Sequence, residues 1–179
     1  MRTNGRILAL RAPIPFAGQR DVRPQMPMPQ LDRLSVGWTG LLPSLTEFVG
    51  AWRPPVLHGE VQYRDHLLAA LRSSVPEETK VEKEYRHLGT TIDIWLKWKG
   101  FLSSEEICFE LKVNLTRKTD FDRLVGQLEG MEPKRNQILV VLIGATDESL
   151  LRRLKERYSE ILQNDLARKM AIVCVPLEA

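Results

Sequence analysis

The chain reads as an α/β (α+β) protein, a central mixed sheet flanked by helices with core order αβββαβ followed by a further αβ. Three observations predict this. From His58 onward, stretches of helical and of strand periodicity follow one another. The apolar runs ICFELKVN (107–114) and QILVVLIGA (137–145) suit buried strands, and amphipathic helical stretches separate the later strands.

The elements follow in order. GEVQYRDHLLAALRSS places Val61, Arg64, Leu67, Leu68 and Leu71 at helical spacing, with Pro76 as a stop. KVEKEYR is a strand. TTIDIWLKW is the next, with Ile92, Ile94, Leu96 and Trp98 alternating against Asp93, Trp95 and Lys97. The polar turn KGFLSSEE leads into ICFELKVN. TDFDRLVGQLEGM is a second helix, with Asp120 as its cap, Phe121, Leu124, Val125 and Leu128 on one face, and Gly130 near its end. After the strand QILVVLIGA comes one amphipathic helix, DESLLRRLKERYSEILQNDL, and a last strand, MAIVCVP.

Residues 1–55 read as an arm, and 56–179 as the folded domain. Eight of the eleven prolines fall in the arm, a composition that disfavours regular helices and interior strands. Within it, GRILALRAP could extend a neighbouring sheet, and 39–52 could hold a short helix beginning near Pro43 and Ser44; a flexible tail is the alternative. Six arginines against Asp21 and Asp32 give residues 1–36 a charge of +4 out of a net +3, so the remainder carries −1. A nucleic-acid partner must therefore be met by local patches and the arm, because the body has no basic field. No apolar run is long enough to span a bilayer, and the N-terminus lacks the continuous apolar stretch of a signal peptide, so a soluble, cytoplasmic protein is expected. Cys108 and Cys174, each among apolar neighbours, read as small buried residues.

Glu-x-Lys occurs three times. Glu78-Thr79-Lys80 and Glu132-Pro133-Lys134 lie in polar, proline-flanked connections where solvated charges need no explanation. Glu110-Leu111-Lys112 lies inside an apolar strand, where unpaired charge is costly. Strand alternation puts Ile107, Phe109, Leu111 and Val113 on one face and Cys108, Glu110 and Lys112 on the other. A hairpin between this strand and its predecessor would bring Asp93 beside Glu110. Two close carboxylates repel one another, and a divalent cation resolves that repulsion; Mg²⁺ accepts one or two carboxylates while keeping waters and phosphate oxygens. A solvent-facing ion pair is the plainer reading of Glu110 and Lys112.

This arrangement resembles the PD-(D/E)XK nuclease superfamily, the restriction-endonuclease-like fold: a helix, a meander with Asp on its second strand and Glu-x-Lys on its third, then a helix and a strand. The resemblance covers residues 58–144, and Ile92 stands where the superfamily has Pro. It implies Asp93, Glu110 and the Leu111 carbonyl as ligands of Mg²⁺, with Mn²⁺ as a substitute, and Lys112 as the catalytic lysine. Glu60 matches the glutamate that many members carry on the first helix, where it would bind a second ion or tune the first, and Gln127 the glutamine that some carry on the second; both join the catalytic set. It further implies phosphodiester hydrolysis, with DNA preferred over RNA as partner, and a homodimer, in which the arm could serve for contact, when both strands are cut.

Arg117 and Lys118, between that strand and the second helix, and Arg64 on the first helix are candidate phosphate contacts. Arg152, Arg153, Lys155 and Arg157, interleaved with Glu156 and Glu160, read as a solvated helix face. Among the histidines only His58, near Glu60, draws attention. A catalytically inactive nucleic-acid-binding module and a scaffold subunit of a larger assembly are the rival classes.

Overall fold

A computed structural model describes residues 40–87, 89–99, 104–163 and 169–177, and in it five strands form one sheet in the order β1-β2-β3-β4-β5. They are β1 (Lys80–His87), β2 (Thr90–Lys99), β3 (Ser104–Val113), β4 (Gln137–Ile143) and β5 (Met170–Val175). The helices are α1 (Leu41–Ala51), α2 (Glu60–Ser74), α3 (Lys118–Gly130), α4 (Glu148–Arg157) and α5 (Ser159–Leu162). The first three strands form an antiparallel meander, while β4 and β5 run parallel to β3. Parallel neighbours need crossovers, and α3 and then α4 with α5 supply them. The mixed sheet and the predicted order of elements from the first core helix onward are both present. The strand proposed within GRILALRAP and the arginines of residues 1–36 lie outside the described residues, as do residues 164–166 of the last predicted helix.

Each face of the sheet carries its own apolar cluster. On one side Leu41, Leu45 and Phe48 of α1, with Leu67 and Leu71 of α2, pack on Leu96, Ile107, Phe109 and Val141. On the other, Leu124 and Leu128 of α3, with Leu150 and Leu154 of α4, pack on Ile138, Val140 and Leu142. Burial on both faces explains why β4 is an unbroken apolar run.

Four expectations change here. Helix α1 begins at Leu41 rather than near Pro43, and its buried Leu42, Leu45, Phe48 and Val49 join the core, so the folded body reaches back past residue 55. Proline sits in the first turn of α1, where its missing N–H forfeits no helical bond. The last helix is two helices, divided at Tyr158, and Asp147 caps the first by accepting from Ser149 N and Leu150 N. On α2 the buried face is Tyr63, Arg64, Leu67, Leu68 and Leu71, with Val61 exposed. Cys108 is buried, but Cys174 is exposed on the edge strand β5.

The β1–β2 hairpin positions the site. Its register is constant through Lys83↔Ile94 and Tyr85↔Ile92, yet Glu84 and Asp93, which that register sets opposite each other, do not pair. Glu84 takes a left-handed φ of 53°, uncommon for a residue with a side chain. Alternation reverses at this point: Ile94 and Leu96 face the α1 and α2 cluster, while Ile92 and Trp95 face the α3 and α4 cluster. The predicted single face for Ile92, Ile94 and Leu96 is thereby corrected, and Trp95 is buried and stacked on Tyr85, ring centroids 4.5 Å apart. The β2–β3 ladder ends at Ile94↔Phe109, whereas β3 continues on β4 to Val113. Strand β2 therefore leaves β3 at Asp93, and a gap opens beside Glu110, Leu111 and Lys112.

Candidate active site

Near the C-terminal end of β3 the amide of Leu111 faces the gap, where no backbone acceptor from β2 remains. Asp93 supplies one: its Oδ2 accepts from Leu111 N at 2.9 Å. A strand residue's N–H and C=O point the same way, so the Leu111 carbonyl also faces the gap while its side chain lies in the core.

Glu110 is the anomaly of the interior. It is 0% exposed, and neither carboxylate oxygen has a hydrogen-bond partner among the described residues. Burial pushes its carboxyl up to about 9; the Asp93 charge adds to the rise, Lys112 opposes it, and Glu60 and Arg123 act more weakly in opposite senses. Asp93 is also raised, first by burial, against the lowering effect of its bond from Leu111.

Lys112, 5% exposed, is held by Glu60, the first residue of α2: Nζ lies 3.3 Å from Oε1 and 3.2 Å from Oε2. The same nitrogen is 4.0 Å from Glu110 Oε1. Glu60 thus stands at the end of a helix whose apolar face is fixed to the sheet, and it bridges that helix to β3. The structure brings Asp93, Glu110, Lys112 and Glu60 into one electrostatic cluster.

Gln127 makes no hydrogen bond to those four residues; its Oε1 is buried without a partner among the described residues. Arg64 is not a surface residue: it is 7% exposed and donates to Glu84 Oε1 at 2.9 Å. Arg117 and Lys118 are exposed but already paired, Arg117 Nε to Asp120 Oδ2 at 2.8 Å and Lys118 Nζ to Asp122 Oδ2 at 2.5 Å. Asp120 is not the cap of α3, which starts at Lys118 with Arg117 in the cap position. A cleft of about 380 Å³ is lined by Glu60, Lys112, Asn114, Arg117, Asp120 and Arg123. Arg123 escaped the sequence reading, although its place four residues before Gln127 sets both on one flank of α3.

One buried and one half-buried carboxylate, a carbonyl in the same gap and two carboxylate oxygens without a hydrogen-bond partner among the described residues fit a hard cation that completes its shell with water and phosphate. Among the described residues no three His, Cys, Asp or Glu side chains are drawn together as a ready-made ligand set, so an all-protein cage is not what the gap offers. A larger cleft of about 540 Å³, lined by residues that include Glu129, Arg135, Arg157 and Tyr158, contains no buried unpartnered acid.

No protein-family model and no curated protein matches this sequence. Among solved structures the chain is similar to Pyrococcus furiosus SfsA in complex with Ca²⁺, at 12% identity over 70% of this chain and 76% of that one, with a TM-score of 0.40. No helix among the described residues is long and apolar enough to cross a membrane.

Proposed function

We propose that the protein is a metal-dependent nuclease that hydrolyses phosphodiester bonds, with DNA as substrate, acting as an endonuclease. One observation carries the reading: Glu110 holds two buried carboxylate oxygens that have no hydrogen-bond partner among the described residues, beside Asp93 and within reach of Lys112. A structural ion pair would have satisfied those oxygens, since a buried acid without partners is costly.

Asp93, Glu110 and the Leu111 carbonyl would hold Mg²⁺ or Mn²⁺, which supplies a Lewis acid for the phosphoryl group and lowers the pKa of a water. Lys112 is aimed by Glu60, so its ammonium is fixed where it can orient the attacking water and meet negative charge developing on phosphorus. The Leu111 N–H in turn fixes Asp93, which thereby has a defined orientation before substrate arrives. Cutting both strands of a duplex calls for two such centres, hence a homodimer.

The test is incubation with supercoiled, linear and single-stranded DNA and with RNA, in Mg²⁺, Mn²⁺ or EDTA. Cleavage of DNA in the presence of either metal, lost in EDTA and in Asp93→Ala and Lys112→Ala, is expected. Cleavage that survives EDTA or either substitution refutes the assignment.

A further inference from the structure

The cleft beside Asp93 and Glu110 contains three cations and two carboxylates, and the way they pair leaves one cation over. Lys112 is held by Glu60. Arg117 is held by Asp120 through Nε at 2.8 Å and Nη2 at 3.4 Å, so the cation that sequence position favoured has its fork occupied. Arg123 lines the same cleft, is exposed, and makes no hydrogen bond or ion pair among the described residues. Its neighbours on the basic helix α4 show the contrast: Arg152 pairs with Glu156, Arg157 with Glu129, and Arg153 lies over the Phe121 ring.

We infer that Arg123 forms a subsite for a backbone phosphate of the nucleic acid at the mouth of the Asp93 and Glu110 centre, an assignment that rests on the nuclease reading above. The chemistry favours it over the other two cations. A guanidinium presents a planar fork that meets two phosphate oxygens at once, and this fork is unengaged. Its position on α3 is fixed from below, because Phe121, Leu124 and Leu128 bury the opposite flank of the helix on the sheet. Arg123 shares its cleft with Glu60 and Lys112, and Lys112 Nζ lies 4.0 Å from Glu110 Oε1, so the side chain stands at the entrance to the centre. The cleft's other two cations are each held by a carboxylate, so Arg123 offers an approaching anionic strand the positive charge at the entrance that they do not, while its own solvation is still intact.

The test is fluorescence anisotropy with a labelled DNA duplex, in EDTA and again in Ca²⁺, over roughly 50 to 200 mM KCl. Arg123→Ala should weaken binding roughly tenfold or more and lower the slope of log K against log salt by about 0.9, the signature of one lost phosphate contact. Arg123→Lys should keep the slope and recover part of the affinity, because the charge remains and the fork is lost. Arg152→Ala should leave both unchanged, and the thermal midpoint of Arg123→Ala should match the wild type. Wild-type affinity and slope in Arg123→Ala overturn the inference alone. A wild type that binds the duplex under neither condition overturns the nuclease reading and the inference together.

Discussion

Asp93 Oδ2 accepts a hydrogen bond from Leu111 N at 2.9 Å, a side chain of one strand standing in for the backbone that the strand withdrew. The bond joins the fold to the site. Without it the gap between β2 and β3 would leave a buried amide unsatisfied, and with it the Asp93 carboxylate is turned toward Glu110.

Two substitutions at Asp93 separate those duties. Asp93→Asn keeps a carbonyl oxygen for Leu111 N and removes the charge, so stability should change little while divalent-cation binding is lost. Asp93→Ala removes the acceptor as well and should cost about 1–3 kcal/mol. Urea unfolding in EDTA reads the first quantity, and Mn²⁺ binding followed by electron paramagnetic resonance reads the second. Equal stability of the two variants would show that the bond contributes nothing.

The buried acid gives stability a pH dependence of known sign. Glu110 is pushed up to about 9 in the folded chain against an ordinary value of 4.5, so the folded state binds a proton that the unfolded state has released. Its contribution is fully present below pH 4.5 and is lost as the pH rises through 9. The melting temperature in EDTA should fall across that window more steeply for the wild type than for Glu110→Gln. A Glu110→Gln profile parallel to the wild type refutes the assignment of this carboxyl.

Glu60 acts through Lys112. Glu60→Gln leaves a hydrogen-bonding group at the end of α2 but takes away the charge that aims the ammonium, so turnover should fall about tenfold with little change in KM. Lys112→Ala should cost roughly 100-fold or more. Steady-state kinetics on a plasmid substrate decide both, and a Glu60→Gln effect confined to KM would assign Glu60 to substrate binding instead.

Helix α1 belongs to the fold. Phe48 is 1% exposed in the cluster on the α1 and α2 face of the sheet, and Phe48→Ala should destabilise the protein by about 3–5 kcal/mol. An unfolding midpoint equal to the wild type would return residues 41–52 to the arm.

Much of this was legible in the sequence. The period-two pattern of ICFELKVN placed Glu110 and Lys112 on one side of a strand, and both are buried there. The reversal of alternation at Asp93 was not legible. It depends on the left-handed backbone of Glu84 and on where β2 parts from β3, and both are tertiary choices that a residue pattern does not encode. Arg64 misled for a related reason, since an arginine in a helical stripe is indistinguishable by spacing from one that reaches phosphate, and Glu84, which fixes it, lies 20 residues away. The short helix within 39–52 was legible, and Pro43 is tolerated in its first turn; that it packs into the core rather than belonging to the arm was not, because composition does not encode which segment docks on the sheet. Arg123 could be noticed only once Arg117 was seen to be paired.

The central claim is that Asp93 and Glu110 form a cation site, and calorimetric titration of Mn²⁺ at pH 7, in two buffers of different ionisation enthalpy, tests it most directly. The prediction is one ion per chain, with up to about one proton released as Glu110 ionises, and loss of that binding in Glu110→Gln. Binding without proton release that persists in Glu110→Gln, or no binding at all, would contradict the account.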